Sequence, residues 1–391
     1  MISFDDAYNI VLDKAYRLNP ETVGLGEAQC RVLAGDVFSD VDMPAYDMSA
    51  MDGFACRRVD LESPMTVIET IPAGRLPEKV IEPGQCSRIM TGAVVPEGAD
   101  VVVMFEHTRE IEGKIQVFKQ SGKSNIRKKA EDITSGDIVL TAGTLITPAE
   151  IAMLAAVGHD PVSVVKKPRV GVVATGDELV EPRHKPKEAQ IRNSNSYQLC
   201  AQINRMGCES RYFGIAQDTP ESVEHILQAA FEACTVVIFS GGVSAGDFDY
   251  VPEVLKKNNV EILFEKVSVK PGKPTVFGTK GDKKIFFGLP GNPVSTFVLF
   301  EVLAKPFLFK MMGYDFLPTV VKAVLNSPIT KKKTGRQEFL PVILKGNEAL
   351  GLDYHGSAHI HAFSKANGIV SIPAGVEKLE RGQEIDVRLL K

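Results

Sequence analysis

Residues 236–250, VVIFSGGVSAGDFDY, decide how the chain is read. The apolar run from Val236 to Phe239 has the length of a buried strand and breaks at Ser240 into Gly241 and Gly242, with Gly246, Asp247, Asp249 and Tyr250 beyond. Glycines at the carboxyl end of a buried strand let backbone N–H groups close around an anion, and such ends are where open α/β sheets bind ligands. Two more turns follow within sixty residues of Val236. In VSVKPGKPTVFG (267–278), Lys270 and Lys273 bracket a Pro-Gly turn; in FFGLPGNPVS (286–295), Pro290, Gly291 and Asn292 lead into a helix expected from Pro293. The three turns together describe a site for an anionic ligand.

Around this stretch the chain alternates strand with helix. RVGVVATGDEL (169–179), a helix near 194–206, ESRYFGI (209–215), a helix over 220–233 and the strand at 236 predict a parallel sheet with crossover helices, closed by a helix from Pro293 to about Met312. Upstream, Ser3 and Asp6 open an amphipathic helix expected to run to about Leu18, and Thr147-Pro148-Ala149-Glu150 starts another over 148–157, stopped by Gly158. Between them VIET, CSRIM, VVVMFE and KIQVF are short strands separated by Gly and Pro turns. Downstream, FLPVILKG, GIVSIPAG and EIDVRLL predict a small barrel or sandwich. The fold class is therefore α/β multidomain. Its expected division is residues 1–42 with 137–166 as a discontinuous, partly helical domain, 43–136 as a β-rich insert, 167–317 as the α/β sheet domain, and 318–391 as a C-terminal β domain.

Length and charge narrow the function. The 391 residues suffice for roughly two to four domains. A formal net charge of −4, with Lys and Arg scattered among acids, offers no basic face for nucleic acid. The longest apolar runs are too short to span a bilayer, and MISFDDAYNI has no basic or long apolar leader, so a cytoplasmic protein with no membrane partner is expected. Cys30, Cys56, Cys86, Cys200, Cys208 and Cys234 lack metal-type spacing and are read as small buried or surface thiols.

Glu178, Asp218 and Asp249 each follow a different strand of the sheet, so their carboxylates are expected at one edge, where hard ions such as Mg²⁺ share oxygen ligands with substrate phosphates. Any one of them also suits a turn or a helix cap. Lys266, Lys270 and Lys273 supply point charges for an oxyanion, or simply a solvated hairpin edge. Ser295 adds a hydroxyl in the first turn after PGNPV, and Arg336 in GRQEFLPV brings a guanidinium suited to oxyanions, or a solvated strand start. His355, His359 and His361 have short spacing but no completing acid or Cys except Asp353, which favours a Gly-Ser loop in which Ser357 and the amides near Gly356 meet an anion.

SAMDGFA, RIMTGAVVPEGADVVVMFE, IRKKAEDI, ATGDEL, SGGVSAGDFDY, KPGKP, GLPGNPVS and GSAHIHAFSKANG resemble, in order and spacing, the molybdopterin molybdenumtransferases, the MoeA family that includes the gephyrin E domain. The resemblance implies an elongated homodimer that inserts molybdate into adenylylated molybdopterin, releasing AMP with Mg²⁺ as the expected metal and leaving molybdenum cofactor. It implies a helical dimerisation region, a molybdopterin-binding sheet domain and a small C-terminal β-barrel. By motif, Asp52 and Thr91 match catalytic cleft positions reaching across the dimer, and Glu178, Asp218 and Asp249 match catalytic and metal-holding acids. Gly176, Ser240, Gly241, Gly242, Lys266, Pro290, Gly291 and Asn292 match the pterin-nucleotide site, and Lys270, Lys273, Ser295, Arg336 and Ser357 the molybdate pocket. KKA after Ile126-Arg127 replaces a more basic run, and Asp247 is a further departure. Implied protein partners are the molybdopterin adenylyltransferase and molybdoenzymes. The rival readings are an adenylyltransferase, which shares the sheet-domain loops, and a non-catalytic scaffold of the same fold.

Overall fold

The computed structural model describes residues 1–120, 122–243, 249–331 and 333–390; Gly246 and Asp247 lie outside them. The chain divides into two compact units, one of Met1–Ala34, Gly143–Thr147 and Ser163–Lys391, the other of Gly35–Ala142 and Pro148–Val162. In the first, helix α1 (Phe4–Asp13) is capped by Ser3, whose Oγ accepts from the Asp6 N–H at 3.0 Å, and buries Ala7 and Val11. It is five residues shorter than its apolar spacing suggests. After Asp13 the chain leaves the helix so that the Leu18 N–H can donate to Met311 O at 2.9 Å.

The second unit holds strands β1 (Gly53–Cys56), β2 (Thr66–Ile71), β3 (Gln85–Ile89) and β4 (Val101–Met104) in the order β2-β3-β1-β4. Gly53 is obligatory there, because a Cβ would lie 2.0 Å from Val103 O. Helix α2 (Pro148–Ala156) lies in the same unit.

Returning to the first unit, β5 (Arg169–Thr175), α3 (Asn195–Arg205), β6 (Glu209–Ala216), α4 (Pro220–Ala233), β7 (Val236–Ser240), α5 (Val251–Lys257), β8 (Glu261–Lys266), β9 (Val269–Lys270), β10 (Pro274–Lys280) and β11 (Lys284–Leu289) build the α/β layer. Its sheet has the order β6-β5-β7-β11-β10-β8. The first four strands are parallel, as expected, and each of β5, β7 and β11 is covered on both faces. Alternation shows why: Val172, Ile238 and Phe287 enter one core cluster, while Val173, Phe239 and Phe286 enter another. The sheet is not parallel throughout. Only residues 281–283 join β10 to β11, too short for a crossover, so β10 pairs antiparallel with β11, and β8 with β10.

Thr219 caps α4, accepting from the Ser222 N–H, and Pro220 occupies its first turn, as the sequence predicts. The closing helix also runs as expected, but in three pieces: α6 (Pro293–Leu299), a wider π stretch at Phe300–Ala304, and α7 (Lys305–Met311). Pro306 explains the interruption, since it has no N–H for the turn behind it. Beyond it, β12 (Val320–Leu325), β13 (Gln337–Lys345), β14 (Glu348–Gly351), α8 (His361–Lys365), β15 (Gly368–Ile372) and β16 (Glu384–Leu389) form the last layer. The order β13-β14-β12-β16-β15 closes through a β13–β15 pairing into a five-stranded barrel, and β9 pairs parallel with β13 from outside it. Closure removes the sheet edges that a sandwich would leave.

All six cysteines are free, and burial pushes the Cys56, Cys86 and Cys208 thiols up to about 12, which keeps them unreactive. Among the described residues no helix is long and apolar enough to cross a membrane.

Phe307 anchors the larger core, fully buried and edge-on to Phe287 at 5.4 Å and to Phe277 at 6.2 Å. Phe307→Ala is expected to destabilise this unit by about 3–5 kcal/mol. Hydrogen exchange at β7 amides during denaturant unfolding measures it, and a loss below about 1 kcal/mol would contradict the packing described.

Candidate functional site

The carboxyl ends of β5 and β7 open on a cleft of about 440 Å³. Thr175, Glu178, Asn193, Asn195, Ser240, Gly291, Asn292 and Ala358 line it. Asn195, buried at the start of α3, ties its walls together. Its Nδ2 donates to Ser240 Oγ at 2.8 Å, to Gly291 O at 2.7 Å and, at 3.4 Å, to Thr296 Oγ1. The strand end, the PGNP turn and α6 are thereby held in one geometry. Thr296 Oγ1 in turn donates to Pro290 O at 2.6 Å.

Gly241 and Gly242 have φ of +99° and +64°, and a Cβ on either would come within 2.8 Å of Thr175 Oγ1. Glycine is required there on both counts. The Gly241 N–H donates to Leu289 O at 3.0 Å, so this amide serves the fold rather than a bound anion. Thr175 Oγ1 is buried with no hydrogen-bond partner, an orphaned hydroxyl on the cleft wall. Gly176 has φ +142° and packs so closely on the Glu178 carboxylate that a Cβ would sit 2.4 Å from Oε2.

Of the strand-end acids, Asp218 is in contact with Asp177, and Glu178 and Asp249 lie within its electrostatic reach. Asp218 is pushed above the usual carboxylate range first by burial and then by the like charges of Asp177, Glu178 and Asp249, against the Asp177 N–H bond that lowers it. Asp177 and Asp218 exchange bonds: each N–H donates to the other's carboxylate, at 3.3 and 3.1 Å. Asp177 is the member of this edge that motif reasoning passed over. Among the described residues, no three His, Cys, Asp or Glu side chains converge as ready metal ligands. A closed cage is not what Mg²⁺ asks for. It takes one or two carboxylates and completes its shell with water and substrate phosphates, so a cluster of oxygen donors under mutual repulsion fits it.

The basic set lies along β9 and β13. Lys270 and Lys273 flank the Pro271-Gly272 turn, with a cis Lys270-Pro271 bond, and Leu299 packs so close to Gly272 that a Cβ would lie 2.4 Å from its Cδ1. Arg336 Nη1 donates to Val269 O at 3.3 Å, which brings the guanidinium to the residue beside Lys270. Lys273 and Lys266 are exposed, and the Val267 N–H donates to Lys273 O at 3.0 Å. Ser295 is buried in the first turn of α6.

Residues 353–358 connect the two regions. Ala358 lines the strand-end cleft, whereas Asp353, Tyr354, His355 and Gly356 line a second cleft of about 710 Å³ that includes Lys270. The Val294 N–H, at the start of α6, donates to Ser357 O at 3.0 Å and pins this loop between the clefts. His355 is engaged with Asp353 (Nε2 to Oδ1, 2.7 Å), and its ring meets that of His359 edge-on at 5.5 Å. Sequence reasoning missed Glu338, which is buried and paired with Lys270 at 2.6 Å. Its signal was faint: an acid two residues after Arg336 at the start of a strand.

In the other unit Asp52 and Thr91 meet. Asp52 Oδ1 accepts from the Thr91 N–H at 2.6 Å and from its Oγ1 at 2.9 Å, and these bonds hold the carboxyl below the usual range. Their stabilisation is present above the unfolded value of 3.8 and is lost as pH falls through the lowered one. Thr91 also lines a cleft of about 640 Å³ with Ser49, Arg127 and Glu131.

Comparison with known proteins matches this architecture from end to end. Residues 2–158 match the MoeA N-terminal region (domains I and II), 171–310 a probable molybdopterin-binding domain, and 322–390 the MoeA C-terminal region (domain IV). The class is thus that of proteins carrying a molybdopterin-binding α/β domain. The molybdopterin molybdenumtransferase of Staphylococcus aureus (strain MRSA252) is 35% identical over 400 residues, covering 99% of this chain and 95% of that protein. That of Staphylococcus epidermidis (strain ATCC 12228) is 35% identical over 407 residues, with the same coverage. The crystal structure of the molybdopterin biosynthesis moeA protein from Pyrococcus horikoshii OT3 superposes with a TM-score of 0.86 at 31% identity, covering 100% of both chains. The chain belongs to the MoeA family of molybdopterin molybdenumtransferases.

The Asp218 geometry has a measurable consequence. With a folded pKa above the unfolded one, its ionisation costs stability in full above that folded pKa, and the cost shrinks as pH falls through it and is gone below the unfolded value of 3.8. Asp218→Asn is expected to raise the melting temperature of the metal-free protein at pH 7 and to abolish most of the stabilisation given by added Mg²⁺. Thermal denaturation with and without the ion checks both; an unchanged Mg²⁺ response would remove Asp218 from the metal site.

Proposed function

We propose that this chain is a molybdopterin molybdenumtransferase: it inserts molybdate into adenylylated molybdopterin, with cleavage of the pyrophosphate link and release of AMP. The observation that carries the reading is the loop of residues 353–358, which walls a strand-end cleft edged by Glu178 on one side and a cleft containing Lys270 on the other. The strand-end acids thereby lie beside a cleft whose cation, Lys270, is paired with the buried Glu338 carboxylate, so the chemistry for a phosphoanhydride and that for an oxyanion are adjacent.

In this reading Gly176, Ser240, Gly241, Gly242, Lys266, Pro290, Gly291 and Asn292 hold the pterin nucleotide at the strand ends. Glu178, Asp218 and Asp249 would hold Mg²⁺, which when bound supplies charge neutralisation on the pyrophosphate oxygens. Water adds to phosphorus, the bridging P–O bond breaks, and the nucleotide leaves as AMP. Lys270, Lys273, Ser295, Arg336 and Ser357 keep molybdate beside the dithiol, so that its two sulfurs bind molybdenum while one oxo group takes their two protons and leaves as water, without a search through solution. Asp52 and Thr91 complete the catalytic set, and their role, the homodimer, the helical dimerisation region and four-domain division read from the sequence, and a cytoplasmic location stand within the same proposal. The molybdopterin adenylyltransferase and molybdoenzymes are the protein partners it implies.

Incubation of purified protein with adenylylated molybdopterin, molybdate and Mg²⁺ tests this directly. AMP release with formation of active cofactor is expected; no AMP under conditions that support a staphylococcal relative would reject the assignment. Asp249→Ala is expected to lower turnover by about 100-fold or more while light scattering still reports a dimer. Near-normal turnover would take that residue out of the mechanism.

A further inference from the structure

Lys270 does not stand on the cleft wall as an isolated cation. It is the register partner of Glu338 across the parallel β9–β13 pair, and the Glu338 carboxylate, only 5% exposed, meets its ammonium at 2.6 Å. Behind Glu338 lies a second lysine. Lys331, also 5% exposed, donates from Nζ to Arg336 O at 2.9 Å and to Pro373 O at 3.0 Å. Burial lowers its pKa, Glu338 opposes that shift, and Lys270 adds to it, so both side chains lie within electrostatic reach. The Lys331 ammonium is thus held by two backbone carbonyls, near enough to the Lys270–Glu338 pair to feel both charges.

A buried carboxylate is stable only when paired, and a lysine on a flexible stem gives a defined contact only when something fixes its end. Glu338 has both relations. Its bond to Lys270 balances the buried carboxylate and orients an ammonium whose side chain is 45% exposed. The same strand start carries Arg336, whose Nη1 reaches Val269 O and whose carbonyl receives Lys331. One short segment thus sets the direction of Lys270 and Arg336, two of the three cations assigned to the oxyanion.

We propose that Glu338 is a positioning residue of the oxyanion pocket, fixing the Lys270 ammonium on the cleft wall. The inference rests on the reading of Lys270 as a molybdate contact. It implies that the pocket recognises a tetrahedral dianion by a preset cation, and that removing a negative charge from the pocket weakens anion binding.

That sign makes the test sharp. Molybdate binding by calorimetry to the full-length native protein, E338Q and E338D is expected to be about tenfold weaker in E338Q, with part of the loss restored in E338D. Steady-state turnover should place the larger share of the E338Q defect in KM for molybdate rather than in kcat, which a general loss of folding would not do. Lys270 provides a readout that needs no molybdate: acylation by an N-hydroxysuccinimide ester, followed by peptide mass spectrometry, is expected to be severalfold faster in E338Q. Binding by E338Q as tight as native or tighter, or unchanged Lys270 labelling, would overturn the role of Glu338 alone. Failure of the native protein to bind molybdate would overturn the pocket assignment and this inference with it.

Discussion

The hydrogen bond from the Val294 N–H to Ser357 O is the contact on which the arrangement of the site depends. It joins the first turn of α6, at the ligand end of the sheet, to a loop of the barrel layer. Other contacts also join the two layers, among them the Phe297–Phe363 ring pair at 5.1 Å, and this bond fixes residues 353–358 where they line both clefts. The bond is local, but it is backed by tight packing below: α6 continues through the π stretch into α7, whose Phe307 sits in the fully buried aromatic cluster under the sheet. The position of the loop is therefore inherited from the core.

Electrostatics supplies the second constraint. Burial and then the like charges of three neighbouring carboxylates raise the cost of ionising Asp218, a cost that the Asp177 N–H bond only partly offsets. Such an edge is less stable in isolation than a neutral one and more attractive to a cation. On β13 the logic is reversed: the buried Glu338 carboxylate is already paired within the protein, by Lys270 at 2.6 Å. One flank thus gathers like charges, the other presents a preset cation.

Much of this was legible from residue order because the α/β layer obeys local rules. A strand buried on both faces reads as an unbroken apolar run, and Val236 to Phe239 shows one, with its residues entering opposite cores in turn. Thr219-Pro220 marks a helix start with both a cap and a fixed φ, and α4 begins there. What was not legible depends on register and distance. The antiparallel edge follows from a connection of three residues rather than from the composition of β8 or β10. Asn195, at the end of a polar run, looks like an ordinary cap residue until it meets Ser240 and Gly291, far away in sequence. Lys270 and Glu338 become neighbours only when β9 adds to β13. The acids were found because they follow strands; the internal counter-ion was not, because no motif marks the inside of a barrel.

The central claim is spatial: molybdate is held by the cations beside the 353–358 loop, apart from the strand-end acids. Anomalous diffraction at the molybdenum edge from crystals soaked in molybdate measures this without reference to activity. A peak within contact distance of Lys270, Lys273 and Arg336 is the result the account predicts. A peak against Glu178 and Asp218, or on a surface remote from residues 353–358, would contradict it.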